Sequence, residues 1–319
     1  MLDYRDGQQN YSLEDINYRT VADPKGMIEE ADAFYARKVE EAADRILNNR
    51  KQSPIVLLSG PSGSGKTTTA MKISEALEKR GVYTHYVGMD DYFKTVRPET
   101  VPRTPEGEMD LESPLCLDME LLNFHFSELS AGKRIFVPKY EFSRQMRILE
   151  PSKSIKLKKD EMVIFEGIHA LNDMITNVHP EAFKLYISTR SGVTFHDKTV
   201  FKNSWFRLVR RTVRDYKFRG ADPGETISMW ANVCRGEHLN ISPFKDKADF
   251  QFDTSFTYEL PVMNAIATKL FKTIPEGVGR FEELRQVFPA LLLFGDIEEE
   301  LVADDALIRE FIGGGIYEY

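Results

Sequence analysis

The sequence predicts an α/β fold, a mostly parallel sheet covered by helices on both faces. Three observations predict it. Apolar runs at residues 55–58 and 162–165 have the length and continuous hydrophobicity of strands buried on both sides. Segments of helical periodicity alternate with them, the pattern of strand-helix-strand units. The first run also ends in a glycine-rich turn that opens directly into a helical segment.

Taken in order, residues 27–50 carry Ile28, Ala31, Phe34, Tyr35, Val39, Ala42 and Ile46 at spacings of three and four, so a leader helix packs on the domain. After Pro54 comes the first strand, then a helix from Lys66 to about Arg80 that Gly81 stops. A second strand, about residues 82–89, ends at Asp90-Asp91. Pro98, Pro102, Pro105 and Gly107 then mark a long irregular loop of the kind that serves binding. A helix is expected over 118–131, strands over 134–137, 162–165 and 183–188, and helices over 203–219, 225–235 and 258–271. The expected organisation is a leader and helix over 1–50, a catalytic domain over 51–295 with a lid at about 199–240, and an acidic tail over 296–319. In that tail Leu307, Ile308, Phe311 and Ile312 form a docking turn.

Composition narrows the function classes. With 42% hydrophobic and 29% charged residues the chain is an ordinary globular one, long enough for a substantial core. The net charge of −8 disfavours a polyanion partner, and residues 282–319, with ten acids and two bases, account for all of it. Cys116 and Cys234 are too few and too distant for a disulfide framework or a CxxC metal site, so both read as packing thiols in a reducing compartment. The first ten residues are polar and no apolar run approaches the roughly 20 residues of a membrane helix. A soluble cytoplasmic protein with no membrane partner is expected, nucleic acid is disfavoured, and a homo-oligomer stays open.

The strongest chemical signal is Gly60-Pro61-Ser62-Gly63-Ser64-Gly65-Lys66-Thr67, which satisfies G-x-x-x-x-G-K-[ST] between a strand and a helix. Glycines let backbone N–H groups curl round the phosphates of ATP or GTP. Lys66 reaches the β/γ oxygens, Thr67 offers a hydroxyl to Mg²⁺, and Thr68 extends the nucleotide site. The expected fold is thereby a P-loop NTPase, three-layer α/β/α, with a helical lid. Asp90, after the second strand, is placed to take a proton from an attacking hydroxyl and to touch the metal shell. Glu166 ends the most apolar strand, where a carboxylate holds Mg²⁺ directly or through water. His169 reads as structural.

Arg207, Arg210, Arg211 and Arg214 fall at i, i+3, i+4 and i+7, stacking four guanidinium groups on one helix face opposite Trp205, Leu208, Val209, Thr212, Val213 and Tyr216. Residues 202–219 hold seven bases and one acid. Beside a P-loop, such arginines close over a triphosphate and neutralise the transferring group, with Arg207, Arg210 and Arg211 catalytic and Arg214 on the nucleotide. A solvated face or a polyanion site is the alternative for the same helix.

Together these residues resemble the uridine kinase and phosphoribulokinase family from about residue 27 onward. The P-loop, Asp90-Asp91-Tyr92-Phe93, Pro138-Lys139-Tyr140-Glu141-Phe142, Phe165-Glu166-Gly167-Ile168 and Arg207-Leu208-Val209-Arg210-Arg211 occur in the family's order. The motifs Glu166 to Asn172 and Arg309 to Gly314 are similar to those of a bacterial branch. The resemblance implies that Asp90 is the catalytic base, that Glu112 holds ribose hydroxyls, that Tyr140 and Phe142 line a base pocket, that Arg147 lies near the acceptor and that Glu166 serves Mg²⁺. An acid beside an aromatic wall suits a ribose and a flat base. Two departures stand out: Trp205-Phe206-Arg207 replaces an Asp-Thr-Arg run, and Gln145 stands where a pyrimidine-reading histidine is expected. The expected activity is ATP-dependent phosphorylation of a nucleoside 5′-hydroxyl. Another small alcohol or sugar phosphate as acceptor, or a nucleotide-dependent RNA-associated switch, would use the same residues.

Overall fold

The computed structural model describes residues 10–277 and 281–318, and the start of the leader lies outside that range. Its central sheet contains β1 (Ile55–Ser59), β2 (Tyr83–Gly88), β3 (Glu161–Glu166), β4 (Phe183–Ser188) and β5 (Phe250–Asp253), ordered β5-β4-β1-β3-β2 and all parallel. Side chains alternate across it as strand geometry requires. Val56, Leu58, Ile164, Leu185 and Ile187 enter one core, while Ile55, Leu57, Val163, Phe165 and Tyr186 enter a second on the opposite face. Each fully buried aliphatic side chain contributes about 1.5–3 kcal/mol, so both layers are strongly held.

On the first face lie α1 (Leu13–Ala22), α2 (Pro24–Asn49) and α3 (Lys66–Glu78). Asp23 caps α2 through the Gly26 amide, and Pro24 sits where a missing N–H is harmless. The buried stripe of α2 contains Met27, Ile28, Ala31, Tyr35, Val39, Ala42, Ala43 and Ile46. The second face carries α4 (Met119–Ser130), capped by Asp118. An antiparallel hairpin, Ile135–Glu141 with Met146–Ile155, turns at Phe142–Arg144 with Gln145 at a φ of 49°.

Between β4 and β5 run α5 (Asn203–Arg219) and α6 (Pro223–Asn240), and after β5 come α7 (Glu259–Lys272) and α8 (Phe281–Leu291). A small sheet joins Tyr11–Ser12 to Val193–Phe195 and Lys198–Phe201, tying the amino-terminal segment to the approach to α5. The acidic carboxyl-terminal segment is docked: Leu307, Ile308, Phe311 and Ile312 are all buried in the core that holds α2, α3 and α5. Among the described residues no helix is long and apolar enough to cross a membrane.

Strand register decides where the chemistry meets. Leu58 of β1 and Gly88 of β2 both pair with Glu166 of β3. The carboxyl ends of the three strands therefore lie side by side, where an open parallel sheet presents its ligand crevice.

Candidate active site

The loop after β1 is shaped by what cannot fit. A Cβ on Gly60 would lie 2.0 Å from the backbone carbonyl oxygen of Ile187, which has no room to give. Gly65, at a φ of 80°, is the N-cap of α3 and supplies no side-chain cap. The amides of the loop and of the first helical turn thus form the positive end of a helix, the feature that receives phosphates.

Lys66 Nζ lies 3.4 Å from the Pro61 carbonyl oxygen and 3.7 Å from Glu166 Oε1. Thr67 Oγ1 donates to Glu166 Oε2 at 3.3 Å, and the Tyr86 hydroxyl donates to the same oxygen at 2.8 Å. Asp90 and Asp91 sit in a 3₁₀ turn, Met89–Tyr92, that follows β2 directly. Asp91 accepts the Tyr140 amide at 3.3 Å. Asp90 is open to solvent at the edge of the cavity, and crowding by its protein surroundings, reinforced by the Glu166 carboxylate and opposed by Lys66, raises its carboxyl to about 6. A carboxylate so poised stays ionised at neutral pH yet is a better proton acceptor than a solvated one.

Ser62, Asp90, Glu112 and Arg211 border one cavity of about 330 Å³, with Phe93, Tyr140 and Phe142 among its walls. Those three rings touch one another: Phe93 to Tyr140 at 5.6 Å, Phe93 to Phe142 at 6.3 Å and Tyr140 to Phe142 at 5.1 Å between centroids. The long proline-rich loop closes the opposite side with Val96, Thr100, Val101 and Pro102. Glu112 is packed beneath α6, where an added Cβ on Gly236 would meet its Cβ at 2.5 Å. Burial raises the Glu112 carboxyl while Arg211 opposes that rise. Gln145 and Cys116 also line the cavity, and burial pushes the Cys116 thiol to about 11, leaving it unreactive.

The arginine helix lies against the P-loop, and its four guanidinium groups have different surroundings. Arg207 Nη1 donates to the Ser62 carbonyl at 3.1 Å and pairs with Glu237. Arg210 donates to the Gly63 carbonyl at 3.2 Å and pairs with Glu259 of α7. Arg211 reaches Ser62 Oγ at 3.3 Å, and Arg214 bonds to Asp215 at 2.8 Å. Of the four, only Arg211 lines the cavity. Trp205, Leu208, Val209, Thr212 and Val213 are buried as the apolar face predicts, but Tyr216 is half exposed because it lies at the helix's outer end.

Two expected site residues are held by partners within the protein. Arg147 does not line the cavity; its guanidinium donates to Asp118 at 2.8 Å and to the Tyr92 carbonyl at 2.7 Å, bracing the turn that carries Asp90. Thr68 Oγ1 donates to Glu310 Oε2 at 2.7 Å. His169 is buried and burial lowers it to about 4, so its ring is neutral. Local sequence gives no sign of Tyr86, Glu237, Glu259 or Glu310 as supports of the site, since each finds its partner far along the chain.

A magnesium ion suits the donor set at the foot of the loop. Thr67, Glu166 and Asp90 offer only oxygen, and Mg²⁺ takes one or two carboxylates together with substrate phosphates.

Residues 55–260 match the model of the phosphoribulokinase / uridine kinase family. A uridine kinase of Staphylococcus epidermidis is 31% identical over 199 residues, covering 62% of this chain and 86% of that one. A uridine kinase of Staphylococcus aureus is 30% identical over 200 residues, with the same coverage. A solved structure of a possible uridine kinase from Bacillus stearothermophilus aligns at 19% identity with a TM-score of 0.40, over 62% of this chain and 88% of that one.

Proposed function

The chain belongs to the phosphoribulokinase / uridine kinase family of phosphotransferases acting on an alcohol group, and from that premise we propose that it phosphorylates the 5′-hydroxyl of a ribonucleoside such as uridine at the expense of ATP. The observation that carries this reading is one cavity bordered both by Ser62 of the P-loop and by Asp90, with an acid and aromatic walls beyond them. A donor held by the loop and Asp90 as proton acceptor would then share a cleft, as an in-line displacement needs.

In the proposed reaction the loop amides and Lys66 hold the donor phosphates. Asp90 accepts the proton of the attacking hydroxyl, whose oxygen forms a bond to the terminal phosphorus as the bond to the departing ADP oxygen breaks. Arg211, at the border of loop and cavity, faces the charge that develops on the transferring group. Bound through Thr67 and Glu166, Mg²⁺ would supply further neutralisation of the phosphate oxygens. Glu112 accepts from the vicinal hydroxyls of a ribose, and Tyr140 and Phe142 provide faces for a flat base.

A coupled ADP-release screen over nucleosides, sugar phosphates and simple alcohols tests the reading. Acceptor-dependent ADP release with uridine or cytidine is expected. Release with sugar phosphates and not nucleosides would overturn the acceptor assignment, and a flat response throughout would overturn the kinase reading.

A further inference from the structure

We propose that Glu310 is a donor-side specificity residue, whose carboxylate competes with the α-phosphate of a nucleoside triphosphate for the first turn of the P-loop helix. The inference rests on the reading that this loop binds such a donor.

In a P-loop the backbone N–H groups at the loop and helix start cradle the α- and β-phosphates, while the lysine reaches the β- and γ-phosphates. Thr68 stands in that first turn, two residues beyond Lys66. Its hydroxyl donates to Glu310 Oε2 at 2.7 Å and its amide to the same oxygen at 3.4 Å. An anion is thus already seated on the α-phosphate end of the loop, supplied by the chain itself. Both residues are buried, Thr68 completely and Glu310 to within 8%.

The carboxylate does not hang on a loose tail. Leu307, Ile308, Phe311 and Ile312, which flank it, are buried in the main core. Leu307 packs on the P-loop so closely that a Cβ on Gly65 would lie 2.8 Å from it. Lys217 Nζ donates to the Ile312 carbonyl at 2.8 Å, and Lys72 pairs with Asp305 at 2.6 Å. Within the segment, Arg309 donates to the carbonyls of Val302 at 2.6 Å and Glu299 at 2.8 Å. The segment therefore stays in place when a donor binds, and the Glu310 side chain has either to leave Thr68 or to face the α-phosphate as a like charge.

The test compares the wild-type protein with Glu310→Gln, which keeps the shape and removes the charge, and with Glu310→Asp, which draws the carboxylate back. Binding of adenosine 5′-(β,γ-imido)triphosphate and of pyrophosphate is measured by calorimetry, with thermal melting to verify folding. Glu310→Gln is expected to bind the imido analogue about tenfold tighter and Glu310→Asp to fall between, because charged hydrogen bonds at this site are no longer contested. Pyrophosphate, which has no α-phosphate, is expected to change by less than about twofold. Unchanged or weaker analogue binding in a folded variant would overturn the inference, as would an equal gain for pyrophosphate. If neither ligand bound to any of the three proteins, the donor reading itself would fall, and this inference with it.

Discussion

Arg210 and Glu259 form an ion pair in which neither side chain has any exposure to solvent, and the same guanidinium donates to the carbonyls of Gly63 and Thr254. One buried arginine thus ties the P-loop to α5, to the segment after β5 and to α7. Removing it would leave a buried carboxylate without its counter-charge. Arg210→Met is expected to lower unfolding stability by about 3–5 kcal/mol, measured by urea denaturation. A loss below about 1 kcal/mol would show that the pair does not hold the loop in place.

As the proposed base, Asp90 should make catalysis depend on pH. Its carboxyl is raised to about 6 by partial desolvation and by the neighbouring Glu166, so kcat/KM should fall as pH drops through that value and the proposed base takes up a proton. The stability effect has the opposite sense. The folded state holds the Asp90 proton to a higher pH than the unfolded chain does, so folding is penalised progressively from the usual carboxylate range up to about 6, and fully above it. Asp90→Asn should therefore abolish turnover, retain donor binding, and raise the melting temperature at pH 8 but not at pH 4. Wild-type turnover in this variant would rule out Asp90 as the base.

Glu112 should discriminate between sugars. Its carboxyl borders the cavity under α6, where the proposed ribonucleoside would bind. Glu112→Gln is expected to raise KM for a ribonucleoside by about tenfold and to narrow the preference over the 2′-deoxynucleoside, since a charged hydrogen bond is lost. An unaltered ratio of kcat/KM for the two sugars would remove Glu112 from sugar recognition.

Thr67 and Glu166 give a separate test of metal binding. Their contact of 3.3 Å sets two oxygen donors at the foot of the loop. In Glu166→Gln the Mg²⁺ concentration for half-maximal activity should rise by about tenfold or more, because a neutral amide replaces a carboxylate ligand. A Mg²⁺ titration that superimposes on the wild type would show that Glu166 does not serve the ion.

Much of the fold is legible because buried parallel strands are written as continuous apolar runs: β1 and β3 announce themselves in this way. β5 does not, because Phe250–Asp253 is four residues long and reads Phe-Gln-Phe-Asp. The second hairpin strand, Met146–Ile155, is mostly exposed and carries no periodic signal. In the site, the P-loop, Asp90 and Glu166 are legible from their places at strand ends. The division of labour among the arginines is not. Spacing sets all four on one face, but Glu237 and Glu259, 30 and 49 residues along the chain, decide that Arg207 and Arg210 are buried braces while Arg211 faces the cavity. The apolar turn at Leu307, Ile308, Phe311 and Ile312 is legible within the acidic tail, but its contact through Glu310 with Thr68 is not, because it spans 242 residues.

Gly60 offers the sharpest test of how the loop is built. Its Cα faces the Ile187 carbonyl so closely that a methyl group would lie 2.0 Å from the oxygen, and that oxygen belongs to the backbone of β4. A flexible side chain could swing away, but a strand held by its neighbours on both sides cannot. Gly60→Ala must therefore push the loop off β4, displacing the amides that receive the phosphates and the Ser62 carbonyl that Arg207 holds. Because catalysis depends on placement to within about 1 Å, turnover is expected to fall by about 100-fold or more. Donor affinity should fall with it while α2 and the second core stay folded, so circular dichroism remains native as nucleotide binding is lost. Wild-type donor affinity in Gly60→Ala would mean that the loop reaches its phosphate-binding shape by a path that does not press on β4.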